Sequence, residues 1–169
     1  LHRMVLSLLD VARSSESSLV VKPARTQVQA WLDEALTLQR LQLRTQPGRL
    51  QVGVATGEAC FDQTLLSRVL QNLLDNALKY SPRGELIFIN ASAHDGGLRL
   101  VVADRGAGIK PEDRERIFAA WTRLDGARPG FGIGLAFCRQ AVEAHGGSIC
   151  VEDAQPRGAR FVVTVPGPG

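Results

Sequence analysis

The stretch DQTLLSRVLQNLLDNALKYSP (Asp62–Pro82) reads as a helix with both ends marked. Asp62 is a candidate N-cap, and Pro82 closes the far end. At 100° per residue, Leu66, Val69, Leu70, Leu73, Leu74 and Ala77 share one apolar stripe. Asn72, Asn76, Lys79 and Tyr80 stand at i, i+4, i+7 and i+8 and make a second, polar stripe beside it. A carboxamide oxygen can ligate a hard cation, and lysine adds a compact positive charge, so this stripe suits a magnesium-bound polyphosphate. Taken alone it suits an ordinary solvated helix face as well.

Downstream, ELIFINASAH (Glu85–His94) and LRLVVAD (Leu98–Asp104) read as strands joined by Asp95-Gly96-Gly97, a hairpin signal. A short charged helix runs from Pro111 through Ile117, and a longer one from Ile133 to His145 is closed by Gly146-Gly147. SICVED (Ser148–Asp153) and ARFVVTV (Ala159–Val165) bracket a turn at Gln155–Gly158. Upstream, LQVGVA (Leu50–Ala55) alternates as a strand after a QPGR turn (Gln46–Arg49). Before it, Val28, Trp31, Leu32, Ala35, Leu38 and Leu41 or Gln42 mark an amphipathic helix reaching about Thr45. LVVK (Leu19–Lys22) is a short strand candidate broken by Pro23. Leu1, Met4, Val5, Leu8, Val11 and Ala12 recur at helix or heptad spacing and end at SSESS (Ser14–Ser18). Hairpins outnumber crossovers, which predicts an α+β two-layer sandwich and not a doubly wound parallel sheet.

The 169 residues suffice for one domain with a proper core, and 44% hydrophobic with 22% charged residues is ordinary globular composition. Net charge is +3 with the basic residues scattered, so no clustered patch points to nucleic acid. Cys60, Cys138 and Cys150 lack any CxxC or Cys/His ligand spacing and read as reduced, semi-buried thiols of a cytosolic protein. No run approaches the roughly 18 to 20 apolar residues of a membrane span, and no signal peptide is seen. The chain starts at Leu1 inside an amphipathic pattern and reads as a piece of something longer.

Three further segments carry chemistry. DRGAGI (Asp104–Ile109) follows a strand directly. Asp104 could accept a hydrogen bond from an exocyclic amine, and Gly106 and Gly108 let the backbone approach a flat ligand. GFGIGLAF (Gly130–Phe137) runs alternate glycines into a helix start, whose free N–H groups and dipole favour phosphate oxygens. It is not GxxxxGK[ST], and it lacks the dinucleotide fingerprint. RIFAAW (Arg116–Trp121) is an apolar cluster between two loops, explained by core packing or by anchoring a movable loop.

The order of the four segments, a double-Asn helix, then DxGxGI, then IF, then GxGxGL, resembles the histidine kinase branch of the superfamily that also holds DNA gyrase, the Hsp90 chaperones and MutL. The resemblance covers about Leu19 to Val165. It implies a Bergerat-type fold, a mixed, mostly antiparallel sheet covered on one face by helices, with ATP and Mg2+ enclosed between the motifs. It further implies that Asn76 ligates magnesium, with Asn72 as its partner near the phosphates and metal. Lys79 and Tyr80 would touch phosphates and nucleotide, and Asp104 would read the adenine amino group. Gly106, Gly108 and Ile109 would shape the adenine pocket, while Gly130, Gly132, Gly134 and Leu135 would form the lid and the following helix start. Two departures stand out. The segment between Phe118 and Gly130 is short, which implies an abbreviated lid, and Trp121 stands where a second phenylalanine is usual.

ATPases of this superfamily carry a glutamate one turn before the metal asparagine, and here that position is Asn72. An amide cannot accept a proton near neutral pH; Gln71 and Asp75 point about 100° off the stripe. The expectation is therefore transfer to an incoming nucleophile and not hydrolysis, with no acid or base on this chain. In the family the acceptor is a histidine followed by an acidic residue. His2, His94 and His145 lack that context and read as structural or solvated. Leu1 to Ser18 would be the tail of a dimerisation and phosphoacceptor hairpin, and residues 19–169 the catalytic domain. The partners implied are that phosphoacceptor domain and a response regulator. The implied parent is homodimeric and membrane-associated with this portion in the cytoplasm; this piece, holding half a bundle, is open to being monomeric. A nucleotide-holding module that has lost transfer, and a serine kinase of the anti-sigma type, are the competing readings.

Overall fold

A computed structural model of the chain describes residues 19–42, 49–53, 55–122 and 132–168. The expectations for the Leu1–Ser18 helix, most of the QPGR turn, the shortened lid and Gly130 lie outside these residues.

The order of elements is β1 (Ala24–Gln27), α1 (Val28–Gln42), β2 (Leu50–Val52), β3 (Glu58–Phe61), α2 (Gln63–Tyr80), β4 (Ile87–His94) and β5 (Gly97–Ala103). Two single 3-10 turns follow, Pro111–Asp113 and Arg116–Phe118, and then α3 (Gly134–Ala144), β6 (Ser148–Asp153) and β7 (Ala159–Val165). Five strands form one sheet in the order β2-β4-β5-β7-β6, parallel between β2 and β4 and antiparallel elsewhere. Strands β1 and β3 pair separately. The helices cover one face. This is the expected two-layer sandwich.

Period-2 alternation builds the sheet's inner face from Ile87, Ile89 and Ala91, Leu98, Leu100 and Val102, Ile149 and Val151, and Phe161, Val163 and Val165, all buried. Opposite them lie the α2 residues Leu66, Val69, Leu70, Leu73, Leu74 and Ala77, buried as their spacing predicts. Each fully buried leucine contributes roughly 1.5 to 3 kcal/mol, so this double layer dominates the fold's stability. The β4–β5 turn has positive φ at Asp95 (49°) and Gly96 (74°), the left-handed pair that a two-residue hairpin of the primed type requires.

Several local expectations are corrected. Leu19–Lys22 is not a strand; the pairing residues are Ala24–Gln27, after Pro23. The Lys22 N–H instead donates to Asp62 Oδ2 (2.9 Å). Strand β3 carries too short a pattern to announce itself. The predicted Leu50–Ala55 strand ends at Val52, although the Gly53 N–H still donates to Ile89 O. Leu41 is 54% exposed; the buried stripe of α1 runs from Val28, Trp31, Leu32, Ala35 and Leu36 onto Gln39. The charged helix from Pro111 resolves into two separate turns, of which only the second is held in the core, where Ile117 and Phe118 are buried and Phe118 meets Phe161 of the sheet edge-on. Cys138 is buried and Cys60 intermediate, but Cys150 is exposed on edge strand β6; all three are free thiols.

Candidate nucleotide site

The site assembles from the C-terminal half of α2, the loop after β5 and the start of α3. Helix α2 begins where Asp62 Oδ1 accepts from the Leu65 N–H (3.0 Å), satisfying one orphan donor of the first turn. With that end fixed, the apolar stripe sets the rotation of the helix. Asn72, Asn76 and Lys79 become half-buried beside the core, and Tyr80 is exposed at the C-terminus. The Lys79 ammonium lies 4.8 Å from the centroid of the Tyr80 ring. At 1.5 Å per residue the stripe from Asn72 to Tyr80 is about 12 Å long, a length that an extended nucleotide covers.

Asp104 ends the chain's passage through β5 and is 5% exposed. Its Oδ1 accepts from the Gly106 N–H (2.7 Å) and the Ala159 N–H (3.3 Å). Its own N–H donates to Ala159 O. Both of these backbone bonds fall on Oδ1. Burial raises the carboxyl above its ordinary value, and the two backbone donors pull it partly back. The result is a fixed, poorly hydrated acceptor, suited to a neutral N–H donor such as an aromatic amine.

The glycines here leave room that side chains would fill. A Cβ on Gly106 would lie 2.8 Å from Tyr80 O, so the first glycine loop is pressed against the end of α2. Gly108 (φ 77°) sits over the Gly158 carbonyl. Gly132 (φ 69°) lies against Thr122 and accepts from the Trp121 N–H (3.0 Å), closing the base of the second glycine segment. A Cβ on Gly134 would stand 3.1 Å from Asn72 Oδ1, so the N-terminus of α3 meets the asparagine stripe directly. Ile109 and Leu135 pack partly buried against the core. The structure thus brings Asp104 and Gly106 against the end of α2 at Tyr80, and Gly134 against Asn72, while Gly108 lies against Gly158 and Gly132 against Trp121 and Thr122.

Two supports of the site escaped the sequence. Gly158, read only as a turn residue, has φ 109° and lies so close to Asp104 that a Cβ would stand 2.0 Å from its carbonyl oxygen. Arg49, 7% exposed, donates to Ser81 O, Pro82 O and Glu85 O, and so holds the loop that leaves α2. Neither has a sequence signal beyond its residue type. The antiparallel seam between α2 and α3 is tied at its other end by His145. The Asp62 N–H donates to Nε2 (3.1 Å), and Nδ1 lies 2.6 Å from Ala141 O as donor. His145 is thereby structural.

The profile of the family described as histidine kinase-, DNA gyrase B- and HSP90-like ATPase matches residues 61–169. The adaptive-response sensory kinase SasA of Trichormus variabilis is 34% identical over 172 residues, which cover 98% of this chain and 43% of that protein. Full-length ShkA, crystallised in complex with AMPPNP, superposes with a TM-score of 0.82 at 28% identity, over 98% of this chain and 35% of that one. The mycobacterial sensor histidine kinase MprB superposes with a TM-score of 0.69 at 31% identity, over 88% of this chain and 98% of that one. The chain spans less than half the length of SasA. With the fold, the motif order and these matches in agreement, the chain belongs to the histidine kinase-, DNA gyrase B- and HSP90-like ATPase family, as a domain homologous to the catalytic domains of sensor histidine kinases.

Proposed function

We propose that this chain binds Mg·ATP along α2 and donates the γ-phosphoryl group to a histidine supplied by a dimerisation and phosphoacceptor domain, for relay to a response regulator. The observation that carries the reading is the composition of the stripe: Asn72 meets the start of α3, Asn76 follows one turn on, and the position able to activate water is an amide.

In this reading Asp104 Oδ2 accepts from the adenine amino group, and Gly106 and Gly108 receive the ring. Tyr80 and Lys79 flank the first phosphates; Asn76, with Asn72, holds magnesium through carboxamide oxygens. Bound magnesium supplies charge neutralisation on the phosphate oxygens. The α3 N-terminus, opened by Gly132 and Gly134, presents N–H groups to the phosphates. Positioning and electrostatics are then the chain's whole contribution, as phosphoryl transfer requires. Residues 1–18 are read as the tail of the acceptor hairpin and residues 19–169 as the catalytic domain. ATP as substrate fits action in the cytoplasm; no helix among the described residues is long and apolar enough to cross a membrane.

The test is calorimetric titration with ATP and GTP, with and without magnesium, followed by incubation with [γ-32P]ATP and a histidine-bearing acceptor domain. Magnesium-dependent, adenine-selective binding and an acid-labile, base-stable label on the acceptor are expected. Binding without label would return a nucleotide-holding module without transfer. No binding at millimolar nucleotide would overturn the reading.

A further inference from the structure

Arg68 lies on α2 one turn before Asn72, about 40° around the helix from it. Arg68, Asn72 and Asn76 therefore continue one face. The guanidinium carbon of Arg68 sits 4.2 Å from the centroid of the Phe137 ring, which is itself 4% exposed within α3. Helix α3 runs antiparallel to α2: Gly134 meets Asn72, Phe137 meets Arg68, Cys138 Sγ approaches Val69 O (3.7 Å), and His145 meets Asp62. The ring thus pins a cation in the same seam that opens at Gly134, on the side of Asn72 away from Tyr80 and Asp104. On the nucleotide reading, with the base at Asp104, the phosphates run from Tyr80 toward Asn72, and Arg68 is the next side chain of that face beyond Asn72.

Resting on the nucleotide reading above, we propose that Arg68 contacts the terminal phosphoryl group and so separates nucleoside triphosphate from diphosphate. A guanidinium offers a planar fork of donors to phosphate oxygens, and stacking on Phe137 keeps that fork pre-oriented at little further entropic cost. Stacking alone would make Arg68 a packing residue, and its loss would then lower thermal stability and weaken both nucleotides alike.

The experiment measures Kd for Mg·ADP and for a non-hydrolysable Mg·ATP analogue in the unmodified chain, Arg68→Gln and Arg68→Lys, with Tm for each. Arg68→Gln is expected to lose about tenfold or more in triphosphate affinity while its ADP affinity stays within about twofold. Arg68→Lys, keeping charge without the fork, is expected to recover part of the loss. Equal losses for both nucleotides, or an unchanged ratio between them, would overturn this inference and leave the nucleotide reading standing. Absence of magnesium-dependent binding in the unmodified chain would overturn both.

Discussion

At the scale of single residues, Asp104 sets stability against binding. Its folded carboxyl is raised by burial, so the ionised form is disfavoured in the fold. The stability this group lends is fully present below its unfolded value near 3.8 and is lost as pH rises through the raised folded value. Asp104→Asn keeps an oxygen to accept from Gly106 and Ala159 and removes the buried charge. Without nucleotide its Tm at pH 7 should exceed that of the unmodified chain, and the gap should close as pH falls toward the unfolded value. A pH series of thermal melts checks this. The same variant should bind ATP about tenfold or more weakly, because it loses a charged acceptor; unchanged affinity would remove Asp104 from the site. Gln39 offers a simpler case. It is 1% exposed, on the core stripe of α1, and among the described residues neither of its side-chain polar atoms has a partner. Gln39→Leu should gain roughly 1 to 3 kcal/mol in urea denaturation, and a loss would show that the amide is satisfied in solution.

At the scale of elements, α2 organises the rest. Asp62 satisfies Leu65 N–H at the helix start, holds Lys22 N–H with its other oxygen, and offers its own N–H to His145 at the end of α3. Asp62→Ala should cost about 1 to 2 kcal/mol by chemical denaturation, and Asp62→Asn, which retains an acceptor, clearly less. If both cost the same, the cap geometry is not what the carboxylate supplies. The elements that sequence made legible have long or repeated patterns: α2 with its full apolar stripe, the Asp95-Gly96 hairpin, and β6 and β7. Those it missed are short. The β1–β3 pair is four residues on four, held by backbone bonds and by Arg25–Glu58 (2.7 Å) on the surface. No periodicity of that length distinguishes strand from loop.

At the scale of the whole molecule, the candidate site belongs to no single element. Asp104 is brought to the end of α2 where Gly106 abuts Tyr80 O, and α3 is brought to Asn72 where Gly134 abuts it. Ligand binding should therefore stabilise the fold as a unit. At one hundred times Kd, Mg·ATP should add about 2.7 kcal/mol, a rise in Tm of roughly 5 to 10 °C for a chain of this length. Asn76→Ala should retain its unliganded Tm within a few degrees and lose the magnesium-dependent part of the shift, measured by thermal melts with and without metal. A mutant with intact metal dependence would contradict the assignment.

The sequence by itself determined the α+β class, the capped helix and its two stripes, the hairpins and the motif order. These are properties of local spacing, and the 3.6- and 2-residue periods are written directly in the residues. Only the tertiary structure decided that Gln39 and not Leu41 enters the core, that Cys150 faces outward, that Arg49 and Gly158 support the site, and that His145 ties α2 to α3. Those depend on which distant segments meet, and a contact between residues 62 and 145, or 104 and 158, leaves no periodic trace in either segment alone.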